Sequence, residues 1–141
     1  MGPNWLKATQ DKAGILIADE SFGAVIKEAA EKVDALVVSL HFGEEYQRIH
    51  NKRQEDLSHT AIDSGAKIVV GHHPHVTQDM ENYTGGLIAY SLGNFIFDQN
   101  FSEETMRGAA LEIKLSKNGE IKSADIKTVQ LNEFYQPELI K

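Results

Sequence analysis

Lys67-Ile68-Val69-Val70-Gly71-His72-His73-Pro74-His75-Val76 runs a short apolar, β-branched segment directly into a cluster of histidines. Such a run, bounded by turn residues, predicts a strand covered on both faces in a parallel sheet. Working outward, Ala35-Leu36-Val37-Val38-Ser39-Leu40 has the same character and also ends on a histidine, His41. Between the two strands, residues 51–64 place Leu57, Ala61 and Ile62 on one face. That spacing predicts an amphipathic helix ending at Gly65. Upstream, residues 14–18 (GILIA) are expected as a short strand, and residues 22–32 as a helix with Ile26, Ala29, Ala30 and Val33 near helical spacing. Downstream, a polar loop around residues 81–86 precedes a third apolar strand at 87–91 (LIAYS). The pattern then changes. Residues 109–115 and 121–131 alternate, and Ser116-Lys117-Asn118-Gly119-Glu120 between them carries the Asn-Gly hairpin signal. This tail is expected as an antiparallel hairpin on the edge of the sheet, within a single α/β domain spanning 1–141.

Composition narrows the chemistry. With 141 residues and 41% apolar content, the chain can bury one core and needs no second domain. The net charge of −7, from 21 acidic and 14 basic residues, supplies no footprint for a nucleic-acid backbone. No apolar run reaches the roughly 20 residues that span a bilayer, and the opening Met1-Gly2-Pro3-Asn4-Trp5 is neither a basic n-region nor an apolar h-region. Cysteine is absent, so thiolate metal sites and disulfides are excluded, and any metal must be held by His, Asp, Glu or water.

The six histidines therefore carry the reading. His41 and the His73-Pro74-His75 triplet fall at the C-terminal ends of predicted strands, where open α/β sheets bind ligands. Imidazole suits Zn, Mn or Fe, and in an extended segment His73 and His75 point the same way, with Pro74 stiffening the link. His72 then points away and is left out of the set. His50 and His59 are expected in surface or capping roles. Tyr46, Phe95 and Phe97 are expected as core or pocket wall, and the acidic excess as a solvated surface.

Three ordered motifs add a resemblance. The stretches Val38-Ser39-Leu40-His41-Phe42-Gly43-Glu44-Glu45-Tyr46, Val69-Val70-Gly71-His72-His73-Pro74-His75-Val76 and Ile88-Ala89-Tyr90-Ser91-Leu92-Gly93-Asn94-Phe95-Ile96-Phe97-Asp98 resemble the HWGxEY, GxHPHV and YSLGNFxFD signatures of the bacterial CapA-type capsule-synthesis family. Gln54, Leu57, His59, Ile62, Asp63, Gly65 and Ala66 between them match that family in spacing.

The resemblance implies a partial calcineurin-like metallophosphoesterase fold: a parallel or mixed sheet, flanking helices and the C-terminal antiparallel hairpin. It implies a role in synthesis or export of poly-γ-glutamate capsule, on a protein that is membrane-anchored and extracytoplasmic when complete. His41 resembles the isolated histidine ligand of that fold, and His73 and His75 its terminal His-x-His pair. They are the expected ligands of a divalent metal (Zn, Mn or Fe), either sharing one ion or bridging two in the complete fold. Glu45 resembles the family's acidic residue after the HWG turn, expected to contact substrate, orient a ligand or accept a proton. Asn94, in the YSLGNF signature, is expected to cap the turn or contact substrate. The Asp-x-His and Gly-Asp motifs of calcineurin-like sites do not occur ahead of Val37. The chain is therefore read as the C-terminal portion of such a domain, weak or inactive alone as a hydrolase. Expected partners are the missing N-terminal half, other capsule-synthesis proteins, or a second copy paired through an exposed sheet edge. The rival reading is a non-catalytic capsule-assembly or protein-interaction module that keeps the fold.

Overall fold

Two helices and two sheets account for the regular structure of the computed structural model, which describes residues 6–140; the leader reading of residues 1–5 lies outside it. Helix α1 spans Phe22–Ala30 and buries Phe22 and Ile26, while Val33, expected on the same face, lies beyond its end and is exposed. Strand β1 (Val37–His41) leads into helix α2 (Lys52–Asp63), and strand β2 (Ile68–His72) follows. Helix α2 begins where the Asn51 side chain accepts from the Gln54 backbone and the Gln54 side chain accepts from the Asn51 backbone, which satisfies two otherwise unpaired donors. It ends as expected at Gly65, whose φ of +108° a side-chain-bearing residue rarely adopts.

The four-stranded sheet has the order β1-β2-β4-β3, with β3 at Met80–Tyr83 and β4 at Gly86–Ala89. Strands β1, β2 and β4 run parallel, and β3 runs antiparallel to β4. The core lies between this sheet and the helices, centred on Val69, Ile88, Tyr90, Ala61 and Ile62 with Phe22 and Ile26 from α1. Strands β2 and β4 are central and bury almost every residue, as their unbroken apolar runs require.

Several expectations change. Residues 14–18 form no strand: Ile15 exchanges backbone bonds with Leu6 and Ala8 just upstream, and Ile15 and Leu16 are exposed. An apolar run makes a strand only where a sheet edge lies beside it, and this one folds back on its own chain instead. Strand β1 is covered on one face only, since Val37, Ser39 and His41 are exposed while Val38 is buried. It is an edge strand, which no local pattern reveals. The polar loop expected around 81–86 is a hairpin between β3 and β4, turned by Thr84 and Gly85, both at positive φ. Finally, the C-terminal hairpin is not on the edge of this sheet. Strands β5 (Arg107–Leu115) and β6 (Ile121–Leu131) pair with β7 (Pro137–Leu139) in a separate three-stranded antiparallel sheet. Its start is tied to the segment after β4 by the Gly93–Gly108 bridge and by the Ala109 N–H donating to the Leu92 carbonyl, and its β5–β6 turn lies against Asp34 and carries Glu120 to Lys67.

Candidate metal centre

His41 and His72 are register partners in the parallel pair β1 and β2, so both strands end at one level. Beyond that level the two chains are tied together: the Phe42 N–H donates to the His72 carbonyl at 3.0 Å, and the Tyr46 N–H to the Pro74 carbonyl at 2.8 Å. The loop bearing Glu45 is thereby held against the loop bearing His73 and His75. From behind, the Gln54 carboxamide donates to Gln78, which donates in turn to the carbonyls of Gln47 and Ile49. Gly71, inside β2, lets the Tyr90 backbone approach, because a Cβ there would meet the Tyr90 carbonyl oxygen at 2.0 Å.

The His-Pro-His segment is not extended, contrary to the spacing argument. His73 has φ +105° and His75 φ +60°, the left-handed region that costs residues other than glycine of order 1–3 kcal/mol. The two imidazoles converge through this bend and not through strand alternation. Donor atoms of Glu45, His73 and His75 all lie within 4.8 Å of one another. The His41 ring stands beside His73, with centroids 4.8 Å apart, and His73 and His75 are 6.1 Å apart. His72 is exposed and makes no ring contact with the set. Partial desolvation of the His41 ring lowers its pKa, and the neighbouring His73, His72 and His75 lower it further, which favours the neutral form with a lone pair to offer. Two imidazoles and one carboxylate, with a third imidazole, His41, beside His73 and no thiolate, are a donor set that fits Zn, Mn or Fe.

Asn94 sits behind this group and is buried. Its side-chain oxygen meets His75 Nδ1 at 2.9 Å, and its amide nitrogen donates to the Thr105 carbonyl at 2.9 Å. Tyr46 and Phe97 flank the His75 ring at 6.2 and 4.8 Å, and Phe101 meets Tyr46 edge-on at 5.1 Å. These aromatics form an exposed lip and are not core: Phe95, Phe97 and Tyr46 are 52%, 42% and 41% exposed. A groove of about 410 Å³ lined by Phe95, Leu111, Val129 and Leu139 lies over the antiparallel sheet and includes none of the histidines.

The other two histidines have carboxylate partners of their own. His50 Nδ1 meets Asp79 at 2.8 Å and its ring stacks on Tyr90 at 3.8 Å; His59 Nε2 meets Glu81 at 3.0 Å and stacks on Tyr83 at 3.7 Å. Tyr90 donates to Glu81 at 2.5 Å and joins the two pairs. His59, the eighth residue of α2, carries no sequence signal for its partner Glu81, which comes from β3.

Comparison with known proteins bears on the same residues. The family model described as bacterial capsule synthesis protein PGA_cap matches residues 3–99, from the chain's start through all three histidine and asparagine motifs. The chain is 45% identical over 113 residues to the PGA biosynthesis protein CapA of Bacillus subtilis, covering 79% of this chain and 30% of that protein. To the capsule biosynthesis protein CapA of Bacillus anthracis it is 46% identical over 99 residues, 70% of this chain and 23% of that one. A probable polyglutamine synthesis accessory protein of Mycobacterium tuberculosis is 29% identical over 104 residues. The chain thus spans less than a third of the length of the two Bacillus relatives.

Proposed function

The chain belongs to the bacterial capsule synthesis family PGA_cap, and on that premise we propose that it serves poly-γ-glutamate capsule biosynthesis through a phosphoesterase-like divalent metal centre. The observation that carries this reading is the convergence of Glu45, His73 and His75 donor atoms within 4.8 Å at the C-terminal end of a parallel sheet. His41, His73, His75 and Glu45 would hold the ion. A divalent ion bound there supplies Lewis-acid chemistry toward a phosphoryl oxygen. Around it, partial desolvation and the neighbouring imidazoles favour the neutral form of His41. Glu45, exposed at the rim, would also orient a ligand or accept a proton. Tyr46 and Phe97 shield one side of His75 from water. Among the described residues no helix is long and apolar enough to cross a membrane.

Calorimetric titration with Zn and Mn, beside the His73→Ala/His75→Ala double variant, tests the proposal. Binding that the double variant loses supports it; equal binding by both proteins, or none by either, overturns it. Hydrolysis of a chromogenic phosphodiester is assayed on the same samples. Metal bound without hydrolysis favours the rival reading, a capsule-assembly module that keeps the fold, to which the single carboxylate of the donor set already points.

A further inference from the structure

His75 can reach the other donors with only one of its ring nitrogens, because Asn94 occupies the other. The orientation of the Asn94 carboxamide follows from a backbone group: the Thr105 carbonyl can only accept, so the atom 2.9 Å from it is the Asn94 amide nitrogen. That nitrogen also donates to Gln99 at 3.3 Å. The oxygen is then the atom facing His75 Nδ1 at 2.9 Å, and an oxygen acceptor requires a proton on that ring nitrogen. In the neutral ring the lone pair is left on Nε2.

The support is rigid on every side. Asn94 is 5% exposed and Thr105 fully buried, with Thr105 bonded to Ser102 through both its backbone N–H and its hydroxyl. The Asn94 backbone packs so tightly on the start of β5 that a Cβ at Gly108 would meet its carbonyl oxygen at 2.0 Å. At the other end, His75 is held in a left-handed conformation and its ring is flanked by Phe97. A buried carboxamide with its donors already committed has no group to spare for substrate.

We propose that Asn94 is a positioning residue that locks His75 in the Nδ1–H tautomer, so that Nε2 is the ring atom offered to the centre. Its purpose rests on the metal-centre reading, but the tautomer itself does not. An outer hydrogen bond of this kind fixes ring orientation and raises ligand basicity, and its loss typically costs 10–100-fold in metal affinity.

Long-range ¹H–¹⁵N correlation spectra of the ¹⁵N-labelled chain, recorded without metal at a pH where the imidazoles are neutral, read the tautomer directly and need no variant. The expected result is a protonated Nδ1 and a bare Nε2 on His75; a proton on Nε2 overturns the proposal. Asn94→Leu removes the acceptor and is expected to release His75 into a tautomer mixture and to weaken Zn binding by about 10–100-fold. Asn94→Asp keeps an oxygen at the same place and is expected to restore the Nδ1–H signature. An unchanged His75 spectrum in Asn94→Leu also overturns the proposal. A wild-type chain that shows the Nδ1–H tautomer yet binds no Zn upholds the positioning role and defeats the metal-centre reading, so the two failures are told apart.

Discussion

Five of the six histidines fall into two groups that differ in what surrounds their rings. His50 and His59 each stack on a tyrosine within 4 Å and each face a carboxylate of their own, with Tyr90 and Glu81 linking the pairs. His73 and His75 instead converge with Glu45, with the His41 ring beside His73, at the open end of the sheet and on backbone held in the left-handed region at His73 and His75. In the first group one ring nitrogen of each histidine meets a carboxylate, and the network joins α2 and the loop before it to β3 and the residue after β4. The second brings donor atoms of Glu45, His73 and His75 within 4.8 Å of one another, the spacing that a shared ligand needs. Residue type is the same; partner geometry separates a structural histidine from a candidate ligand.

The contrast breaks most sharply in single variants. His73→Ala is expected to lower Zn affinity by about 100-fold or more, beyond the cost of losing an outer partner, whereas His59→Ala leaves it nearly unchanged. Equal losses in the two variants, measured by calorimetry, would erase the distinction. Tyr90→Phe is expected to do the reverse. Removing a buried phenol that donates to the Glu81 carboxylate destabilises the fold by about 2 kcal/mol, read from urea unfolding, while Zn binding by the folded protein persists.

A smaller effect tests the strain at the centre. His73 sits at φ +105°, so His73→Gly is expected to be more stable than His73→Ala by about 1 kcal/mol, both having lost the ring. No difference in unfolding midpoint would mean that the bend carries no strain. Acid sensitivity belongs to the other group. The Tyr90 hydroxyl, followed by His59, holds the Glu81 carboxyl below the ordinary glutamate value against the opposing effect of burial. A folded-state pKa below the unfolded one stabilises the fold fully above the unfolded value, and that stability disappears as pH falls through the folded value. Glu81→Gln is therefore expected to flatten the acid side of the stability–pH curve, measured by thermal melts across the carboxylate range; an unchanged slope would remove Glu81 from the network. The smallest effect is expected for His72→Ala: adjacent to His73 but exposed and outside the donor cluster, it should alter Zn affinity by no more than about twofold.

Much of this architecture is legible in the residues. The runs ending at His41 and His72 are apolar and β-branched and both form strands of the parallel pair, though only the second lies inside the sheet, and α2 shows its stripe, its Asn51 start and its Gly65 stop. Those signals are local, and each element was placed within a few residues. Three errors share one cause. Residues 14–18 read as a strand, residues 81–86 as a loop and the C-terminal hairpin as an edge of the main sheet, because a strand is defined by the partner beside it, which periodicity does not report. The centre follows the same division. That His41, His73 and His75 stand at strand ends is readable from order alone, but the reason given for their convergence, an extended His-Pro-His segment, is replaced by a bend.

By itself, then, the sequence determined the element types, the absence of thiolate chemistry, the family motifs and which histidines end strands, since these depend on residue identity and short-range spacing. Only the tertiary structure decided that Glu45 joins His73 and His75, that Asn94 turns inward to His75, and that His50 and His59 are occupied by Asp79 and Glu81. Those contacts link residues 19 to 30 positions apart, and they exist because Pro74, Tyr46 and the start of β5 pin separate loops together, a constraint that no window of sequence contains.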